Sequence, residues 1–274
     1  MSDRRLTPAN GRVAAQHLRG SVEAERFVEG RPAAIAAPVV DLMSTPDGRR
    51  DRQLLMGAAV TVYEDRDGFA FVQAAADGYV GYVPTAALGP EITPTHRVAS
   101  AATHLYEGPD MKSPDLACLP RAAGLAVTGI QGRFAETRDG FVPIQHLVER
   151  EERSDDPAAV AELYLGVPYL WGGNSSFGID CSGLVQAACR ACGIACPGDS
   201  DLQRAGLGKP IAAEATVRRG DLFFWTGHVA MALDAGTLIH ANAHRMAVTT
   251  ERLADAIARI ARQGDGPVLA RRRP

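Results

Sequence analysis

The sequence has no long apolar run and no large excess of charge of one sign, and both absences exclude classes of protein. Nowhere do 18 apolar residues follow one another, so no stretch is long enough for a transmembrane helix. The formal net charge is −3 at pH 7, and the basic run at 271–273 is best interpreted as a solvated tail. We therefore expect neither nucleic acid nor a membrane surface as a partner.

A secretion signal and a disulfide framework are also missing. The first 20 residues lack a continuous apolar core, and the five cysteines are an odd number without regular spacing. Reduced thiols and the missing signal predict a cytoplasmic protein, although a chain whose leader had been removed would begin in the same way. No phosphate-binding loop or nucleotide fingerprint is found.

The composition is that of a globular protein with more than one domain. The chain has 274 residues, of which 46% are apolar and 22% are charged, enough for two or three domains. The charged run EREERSDDP at 149–157 separates two parts of different composition. Asp155 or Asp156 can cap a helix that has Pro157 in its first turn, so we place a domain boundary between residues 150 and 151.

A weak internal repeat marks the first part. VDLMSTPD at 40–47 resembles THLYEGPD at 103–110, and GYVPTAAL at 81–88 resembles GFVPIQHL at 140–147. Asp-Gly pairs at 67–68, 77–78 and 139–140 separate short runs rich in Val, Tyr and Phe, as in tight hairpins. We predict two small β-barrels, at 31–92 and 93–150, with one irregular β domain as the alternative. Residues 1–30 are predicted to be a helical segment, because Val13 to Phe27 have a modest helical tendency.

The second part, residues 151–274, mixes helices and strands. Ala-rich helical stretches at 158–165, 182–192 and 251–262 occur together with the apolar runs DLFFW, VAMAL and TLIHA. Helices come first and strands later, which predicts an α+β domain rather than a wound parallel sheet.

Cys181 stands at the start of one of these helical stretches. The spacing is that of a buried helix, with apolar residues at Leu184, Val185, Ala188, Cys189 and Cys192 before Gly193. In a first helical turn, free amides and the helix dipole lower a thiol pKa from about 8.5 towards neutrality or below. That would make Cys181 a nucleophile, but a lone cysteine is more often an inert buried side chain.

Two histidines favour the interpretation of Cys181 as a nucleophile. His228 directly precedes VAMAL, and His240 lies within TLIHA. If these two strands are antiparallel neighbours packed on the helix, His228 could act as a base towards Cys181 and His240 could orient the His228 ring. A single histidine in a strand is more often a core or edge residue.

The stretches YLWGGNSSFGIDCSGLV, GDLFFWTGHVAMAL and TLIHA together resemble the signature blocks of the NlpC-type cysteine peptidases. These are papain-like enzymes that cut peptidoglycan stem peptides, and the resemblance spans residues 155 to about 260. It implies that Cys181 is the nucleophile, His228 the general base and His240 the residue that orients the base. Tyr169 would hold the oxyanion together with a backbone amide, and no metal or organic cofactor is implied.

A subset of that family has two SH3-like barrels before the catalytic domain and binds the free amino group of its substrate. Asp199 and Ser200 match the Asp-Ser pair that does so, and a carboxylate there would reject substrates with a blocked amino end. The alternative is that residues 198–200 only cap a helix at 201–206. The two roles are compatible if Ser200 caps the helix and Asp199 stays available for the amino group.

The resemblance implies further substrate contacts. Asp180 and Ser182 would shape the pocket for the D-glutamyl carboxylate, and Trp171 would also bind substrate. Either Tyr79 or Tyr82 would close the cleft from the first barrel, although strand tyrosines usually serve packing.

These features predict a hydrolase of the γ-D-glutamyl bond to a diamino acid such as diaminopimelate, in free muropeptides with an unblocked L-Ala. The alternatives are a hydrolase or amidase of intact peptidoglycan stems, and a non-catalytic peptidoglycan-binding protein. A zinc site at Cys189, Cys192 and Cys196 is disfavoured, because the first two occupy the buried side of a helix.

Overall fold

The computed structural model describes residues 3–274, which form two compact units. Unit 1 ends at Glu151 and unit 2 runs from Glu152 to Pro274, so the division falls one residue after the expected boundary. None of the helices within residues 3–274 has the length and apolar character needed to cross a bilayer.

Unit 1 begins with nine short strands. They are β1 Val13–Ala15, β2 Arg26–Val28, β3 Arg31–Ile35, β4 Val39–Met43, β5 Arg50–Leu55, β6 Ala59–Arg66, β7 Phe69–Ala74, β8 Val80–Pro84 and β9 Leu88–Gly89. Seven of them form a sheet in the order β5-β4-β8-β7-β6-β3-β9. The β6–β7 hairpin turns at Asp67 and Gly68, both with positive φ (52° and 82°), as the predicted two-residue turn requires.

The rest of unit 1 is a second β module with its own core. Its strands are β10 His96–Val98, β11 Ala102–Tyr106, β12 Asp115–Pro120, β13 Gly124–Leu125, β14 Val127–Gln131, β15 Phe134–Thr137, β16 Gly140–Pro143 and β17 Leu147–Glu149. They form sheets in the orders β12-β11-β16-β15-β14 and β13-β10-β17. Separate apolar clusters, around Leu42 and Val83 in the first module and around Leu119 and Val142 in the second, agree with two barrels.

The N-terminal segment is not an α-helix, so the predicted helix between Val13 and Phe27 is wrong. Strands β1 and β2 pair in parallel, and Gln16–Leu18 form a single 3-10 turn. Val13 packs in a cluster with aromatic rings of the first barrel. Glu64 of that barrel accepts hydrogen bonds from Asn10 and Arg12, so tertiary contacts outweigh a weak helical preference.

Unit 2 is α+β, as predicted. Its helices are α1 Pro157–Glu162, α2 Cys181–Ala191, α3 Ser200–Gly206 and α4 Leu253–Gln263. Its strands are β18 Asn174–Ser175, β19 Gly178–Ile179, β20 Lys209–Ile211, β21 Leu222–Trp225, β22 His228–Ala232, β23 Thr237–Asn242, β24 Ala247–Arg252 and β25 Ala270–Arg273. Six of these strands form one antiparallel sheet in the order β20-β25-β21-β22-β23-β24.

Helices cover both faces of this sheet. Leu184 on α2 packs with Met231 of β22, whereas Ile260 on α4 packs with Leu238 of β23. Successive strand residues point to opposite faces, so strands covered on both sides become continuous apolar runs. That explains VAMAL and TLIHA, and it places the two histidines on strands in the middle of the unit.

The arginines at 271–273 do not form a solvated tail, and that interpretation is wrong. They belong to β25, which lies inside the sheet between β20 and β21. The fully buried Asp221 carboxylate lies 3.6 Å from Arg271 and 2.7 Å from Arg273. A buried carboxylate needs such partners, so these arginines fix the strand in the sheet.

Candidate active site

Asp180 organises the start of helix α2. Its carboxylate accepts hydrogen bonds from the amide of Gly183 at 2.7 Å and from the hydroxyl of Ser182 at 2.9 Å. Its second oxygen accepts from the amide of Gly172 at 2.9 Å. One side chain thus caps the helix and holds the preceding loop, which confirms that a helix begins at Cys181.

That loop and the helix approach each other at two glycines. A Cβ atom on Gly183 would lie 2.4 Å from the carbonyl oxygen of Gly173, far inside van der Waals contact. The glycines of the GG and CSG motifs are therefore required by close backbone packing at the cysteine.

The sulfur of Cys181 lies beside the backbone on either side of His228. The thiol faces the carbonyl oxygen of Gly227 at 3.9 Å, and the backbone amide of Val229 lowers the pKa of the thiol. Cys181 also belongs to the apolar cluster that joins α2 to β22. The fold thus brings the predicted nucleophile to the start of the strand that carries the predicted base.

The two histidines form a pair. Nε2 of His228 lies 2.9 Å from Nδ1 of His240, and the ring centroids are 5.2 Å apart. His240 is only 1% exposed. A fixed imidazole at hydrogen-bond distance can orient the His228 ring, the role that the sequence implies for His240.

Burial keeps the thiol and both imidazoles neutral in the free protein. It raises the pKa of Cys181 to about 12, with a further contribution from Asp180, and the backbone amides lower that pKa by less. Burial lowers the pKa of His228 to about 3 and that of His240 to about 4. The prediction that the helix start ionises Cys181 is therefore wrong, and the thiol must lose its proton when it attacks.

The buried histidines predict a pH dependence of stability. Their folded pKa values lie below the unfolded value of about 6.5, so their stabilising contribution is complete above pH 6.5 and is lost as pH falls towards 4 and then 3. We expect the free energy of unfolding to fall by up to about 1.4 kcal/mol per pH unit for each histidine below pH 6.5. Urea unfolding at pH 7.5, 6 and 5 should show a shallower loss for His240→Asn than for wild type. An equal loss of unfolding free energy with falling pH in both proteins would contradict a lowered pKa of His240.

Tyr169 lies close to the helix start. Its amide donates to the carbonyl of Met246 at 2.9 Å, and Tyr169 forms a parallel bridge with Ile179, two residues before Cys181. Burial raises the pKa of the phenol, and Cys181 and Asp180 raise it further, so the hydroxyl keeps its proton and can donate. Trp171, on the same loop, is 69% exposed.

Asp199 also lies in this region. Burial raises the pKa of Asp180, and the charge of Asp199 adds a smaller increase, so the two side chains interact electrostatically. Asp199 is the N-cap residue of α3, but its side chain makes no capping hydrogen bond, and Ser200 is already the first helical residue. The idea that Ser200 caps this helix is therefore wrong, and capping does not account for the carboxylate of Asp199.

The two candidate tyrosines of the first barrel lie in apolar clusters. Tyr79 belongs to the barrel core, with the guanidinium of Arg52 5.1 Å from its ring centroid. Tyr82 packs against Phe71, with ring centroids 5.0 Å apart. Their part in closing a cleft stays a prediction, as does a pocket role for Asp180 and Ser182, whose side chains bond to each other.

The structure adds two residues that we did not predict. Oε2 of Glu251 lies 3.2 Å from Nε2 of His240. Arg259 of α4 forms a bidentate ion pair with Glu251, at 2.9 and 2.7 Å. His240 is paired with Thr249 across the β23–β24 hairpin, so Glu251 is its diagonal neighbour on the same face. Strand alternation in the sequence puts Thr249 and Glu251 on one face, but only the register of the folded hairpin sets that face beside His240.

Cys189, Cys192 and Cys196 pack in or against the apolar cluster around α2. Cys189 and Cys192 lie on or next to α2, and Cys189 is fully buried in the cluster beneath it. Within residues 3–274, no group of three His, Cys, Asp or Glu side chains is arranged to hold a metal ion.

Comparison with known proteins agrees with this architecture. Residues 166–260 match the NlpC/P60 family, and residues 42–88 match the bacterial dipeptidyl-peptidase Sh3 domain. A crystal structure of an NlpC/P60 family protein from Bacillus cereus superposes with a TM-score of 0.73 over 89% of this chain and 99% of that one. At 21% identity, that likeness concerns the fold alone.

Curated relatives match over part of their length. A gamma-D-glutamyl-L-lysine dipeptidyl-peptidase of Bacillus subtilis is 32% identical over 117 residues, which are 39% of this chain and 37% of that protein. A probable endopeptidase of Mycobacterium tuberculosis is 33% identical over 115 residues, 40% of this chain and 29% of that protein. The chain spans little more than a third of these relatives at most. Each compact unit thus contains one matched segment, similar to an SH3-like domain in unit 1 and to the NlpC/P60 family in unit 2.

Proposed function

We propose that this protein hydrolyses the γ-D-glutamyl bond to a diamino acid in free muropeptides whose L-Ala has an unblocked amino group. The observation that carries the proposal is the position of the Cys181 sulfur against the carbonyl of Gly227, the residue before His228, with Asp199 acting electrostatically on the helix cap Asp180. The Bacillus subtilis relative is named for cleavage next to γ-D-glutamyl, which supports the same bond.

The geometry supports acyl transfer through a thioester. As the sulfur of Cys181 attacks the γ-carbonyl carbon, His228 takes the thiol proton, and Tyr169 with the amide of Cys181 donates to the oxyanion. The C–N bond then breaks, and the imidazolium of His228 gives its proton to the leaving amine. Water adds to the thioester while His228 takes one of its protons, and the acid and the free thiol are released.

Asp199 would supply the selectivity. A carboxylate near the nucleophile attracts the ammonium group of a free L-Ala, and an acylated amino end offers no charge to pair with it. A free amino end exists only after the amide bond to the sugar has been cut, so this requirement corresponds to a recycling reaction on released peptides.

We expect cleavage of a free L-Ala-γ-D-Glu-diaminopimelate tripeptide and at least about 100-fold slower cleavage of its N-acetylated form, since lost charge pairing costs about 3 kcal/mol. The lysine-containing tripeptide is tested in parallel, and mass spectrometry of the products identifies the bond. Cys181→Ala is the blank for contaminating peptidases.

The Asp199→Asn variant separates the proposed clamp from the chemistry. It should cleave the two tripeptides at similar, low rates, because the selectivity and not the nucleophile is lost. Equal cleavage of both peptides by the wild type would refute the clamp, and release of stem fragments from intact sacculi would favour a wall hydrolase.

A further inference from the structure

On the side of His240 away from His228, Glu251 and Arg259 form an ion pair. The contacts run from Nε2 of His228 to Nδ1 of His240 at 2.9 Å, and from Nε2 of His240 to Glu251 at 3.2 Å. Arg259 then holds both oxygens of Glu251. Three strands and helix α4 each contribute one member of this row.

Glu251 is an ionised carboxylate that can only accept hydrogen bonds. Its side chain is 23% exposed and that of Arg259 is 13% exposed, so the two-pronged ion pair is partly shielded from water. Arg259 and His240 both stabilise the charged form of Glu251, with Arg259 contributing most. The carboxylate therefore presents a negative charge and no proton to His240.

That charge selects one tautomer of His240. The contacting oxygen lies off the line of the ring N–H bond, so the hydrogen bond itself is not well aligned. The electrostatic preference remains, because a lone pair on Nε2 would face an anion at 3.2 Å, whereas an N–H dipole there is attracted by it. The proton of the neutral ring thus resides on Nε2, and Nδ1 carries the lone pair.

The tautomer of His228 follows from that of His240. Because Nδ1 of His240 is an acceptor, Nε2 of His228 must be the donor across the 2.9 Å contact. A neutral His228 then has its lone pair on Nδ1. We propose that Glu251 is a positioning residue that, through His240, leaves Nδ1 of His228 free to take the proton of the Cys181 thiol. This rests on the proposed cysteine peptidase function of the same site.

Arg259 prevents Glu251 from competing for that proton. It keeps the carboxylate ionised and also opposes a positive charge on both histidines. The other charged or titratable groups acting on this row are His244, which disfavours protonation of His240, and Asp265, which acts on Arg259. When the thiol proton moves, it therefore stops on His228, the group that must later protonate the leaving amine.

The test reads the ring tautomers directly, without a substrate. In the wild-type protein, nitrogen-15 NMR of the imidazoles should show His240 and His228 both protonated at Nε2 and not at Nδ1. In Glu251→Gln, Arg259 holds the amide oxygen and the NH2 group faces His240, so the Nδ1–H tautomers should appear. The rate at which iodoacetamide alkylates Cys181 should then fall about 100-fold, and kcat should fall by a similar factor with KM unchanged. This loss is smaller than the roughly 10⁴-fold seen when an acid that directly contacts the base and fixes its tautomer is removed.

Glu162→Gln is the matched control. Glu162 of α1 pairs with Arg219 at 2.6 Å and touches neither histidine, so its variant should keep the wild-type tautomers and alkylation rate. Protonation of His240 at Nδ1 in the wild type would overturn the proposal, even if Glu251→Gln failed to fold. Unchanged tautomers and alkylation in a folded Glu251→Gln would also overturn it. If the tautomers respond but no muropeptide is cleaved, only the proposed substrate fails.

Discussion

We expect Cys181→Ala to lower kcat for muropeptide cleavage by roughly 10⁶-fold, and the addition of His228→Ala to lower it no further. The reason is that the sulfur and the imidazole act as one unit. Without the thiol there is no thioester to form, and without the imidazole the buried neutral thiol has no group to take its proton. Steady-state rates of both single variants and of the double variant, with the free tripeptide as substrate, measure the effect.

Cys189→Ala is the control for a general effect of removing a buried thiol from this helix. Its sulfur packs in the same apolar cluster two turns further along α2 and faces no histidine. This variant should keep kcat near the wild-type value and lose only a small part of the unfolding free energy, about 1 kcal/mol. The double variant could instead lose kcat by the product of the two single losses. That result would show that the two side chains do not act together.

Gly183→Ala should damage both stability and activity, because its methyl group would lie 2.4 Å from the carbonyl oxygen of Gly173. Overpacking against a backbone atom costs about 3 kcal/mol, and the better helix propensity of alanine offsets only about 1 kcal/mol. Relief of the clash must shift the loop that leads to Asp180 and Cys181. A displacement of 1 Å at the nucleophile corresponds to about 100-fold in kcat/KM.

Gly206→Ala is the matched control for the glycine substitution. Gly206 lies in helix α3, and a Cβ atom there would meet no atom within 4 Å. We expect its unfolding free energy to change by less than about 1 kcal/mol, in the stabilising direction, with wild-type activity. Chemical unfolding and kcat/KM are measured for both variants. Wild-type unfolding free energy and kcat/KM in Gly183→Ala would show that the loop can move aside without cost.

Much of the fold could be predicted from the sequence because its signals are local. Asp156 caps α1 through the amide of Ala158, with Pro157 in the first turn, as the charged run indicated. Helix α2 begins at Cys181 because its apolar spacing and the Asp180 cap are both encoded within 14 residues. The Asp67-Gly68 hairpin is encoded by two residues alone.

The features that could not be predicted depend on distant contacts. Val13 and its neighbours form a strand because barrel side chains bury them, and the terminal arginines form a strand because Asp221 needs partners. The pKa of Cys181 depends on how deeply the fold buries the sulfur, which no local pattern reports. Glu251 reaches His240 only through the hairpin register, and Arg259 reaches Glu251 only through the packing of α4.

The interior position of β25 affects how the catalytic unit is made. Residues 270–273 supply the hydrogen-bond partners of both β20 and β21, and β21 in turn pairs with the strand that carries His228. These residues follow Cys181 and both histidines in the chain, so they are synthesised after them. The sheet beside the strand that carries His228 is therefore incomplete until this last segment has folded into it.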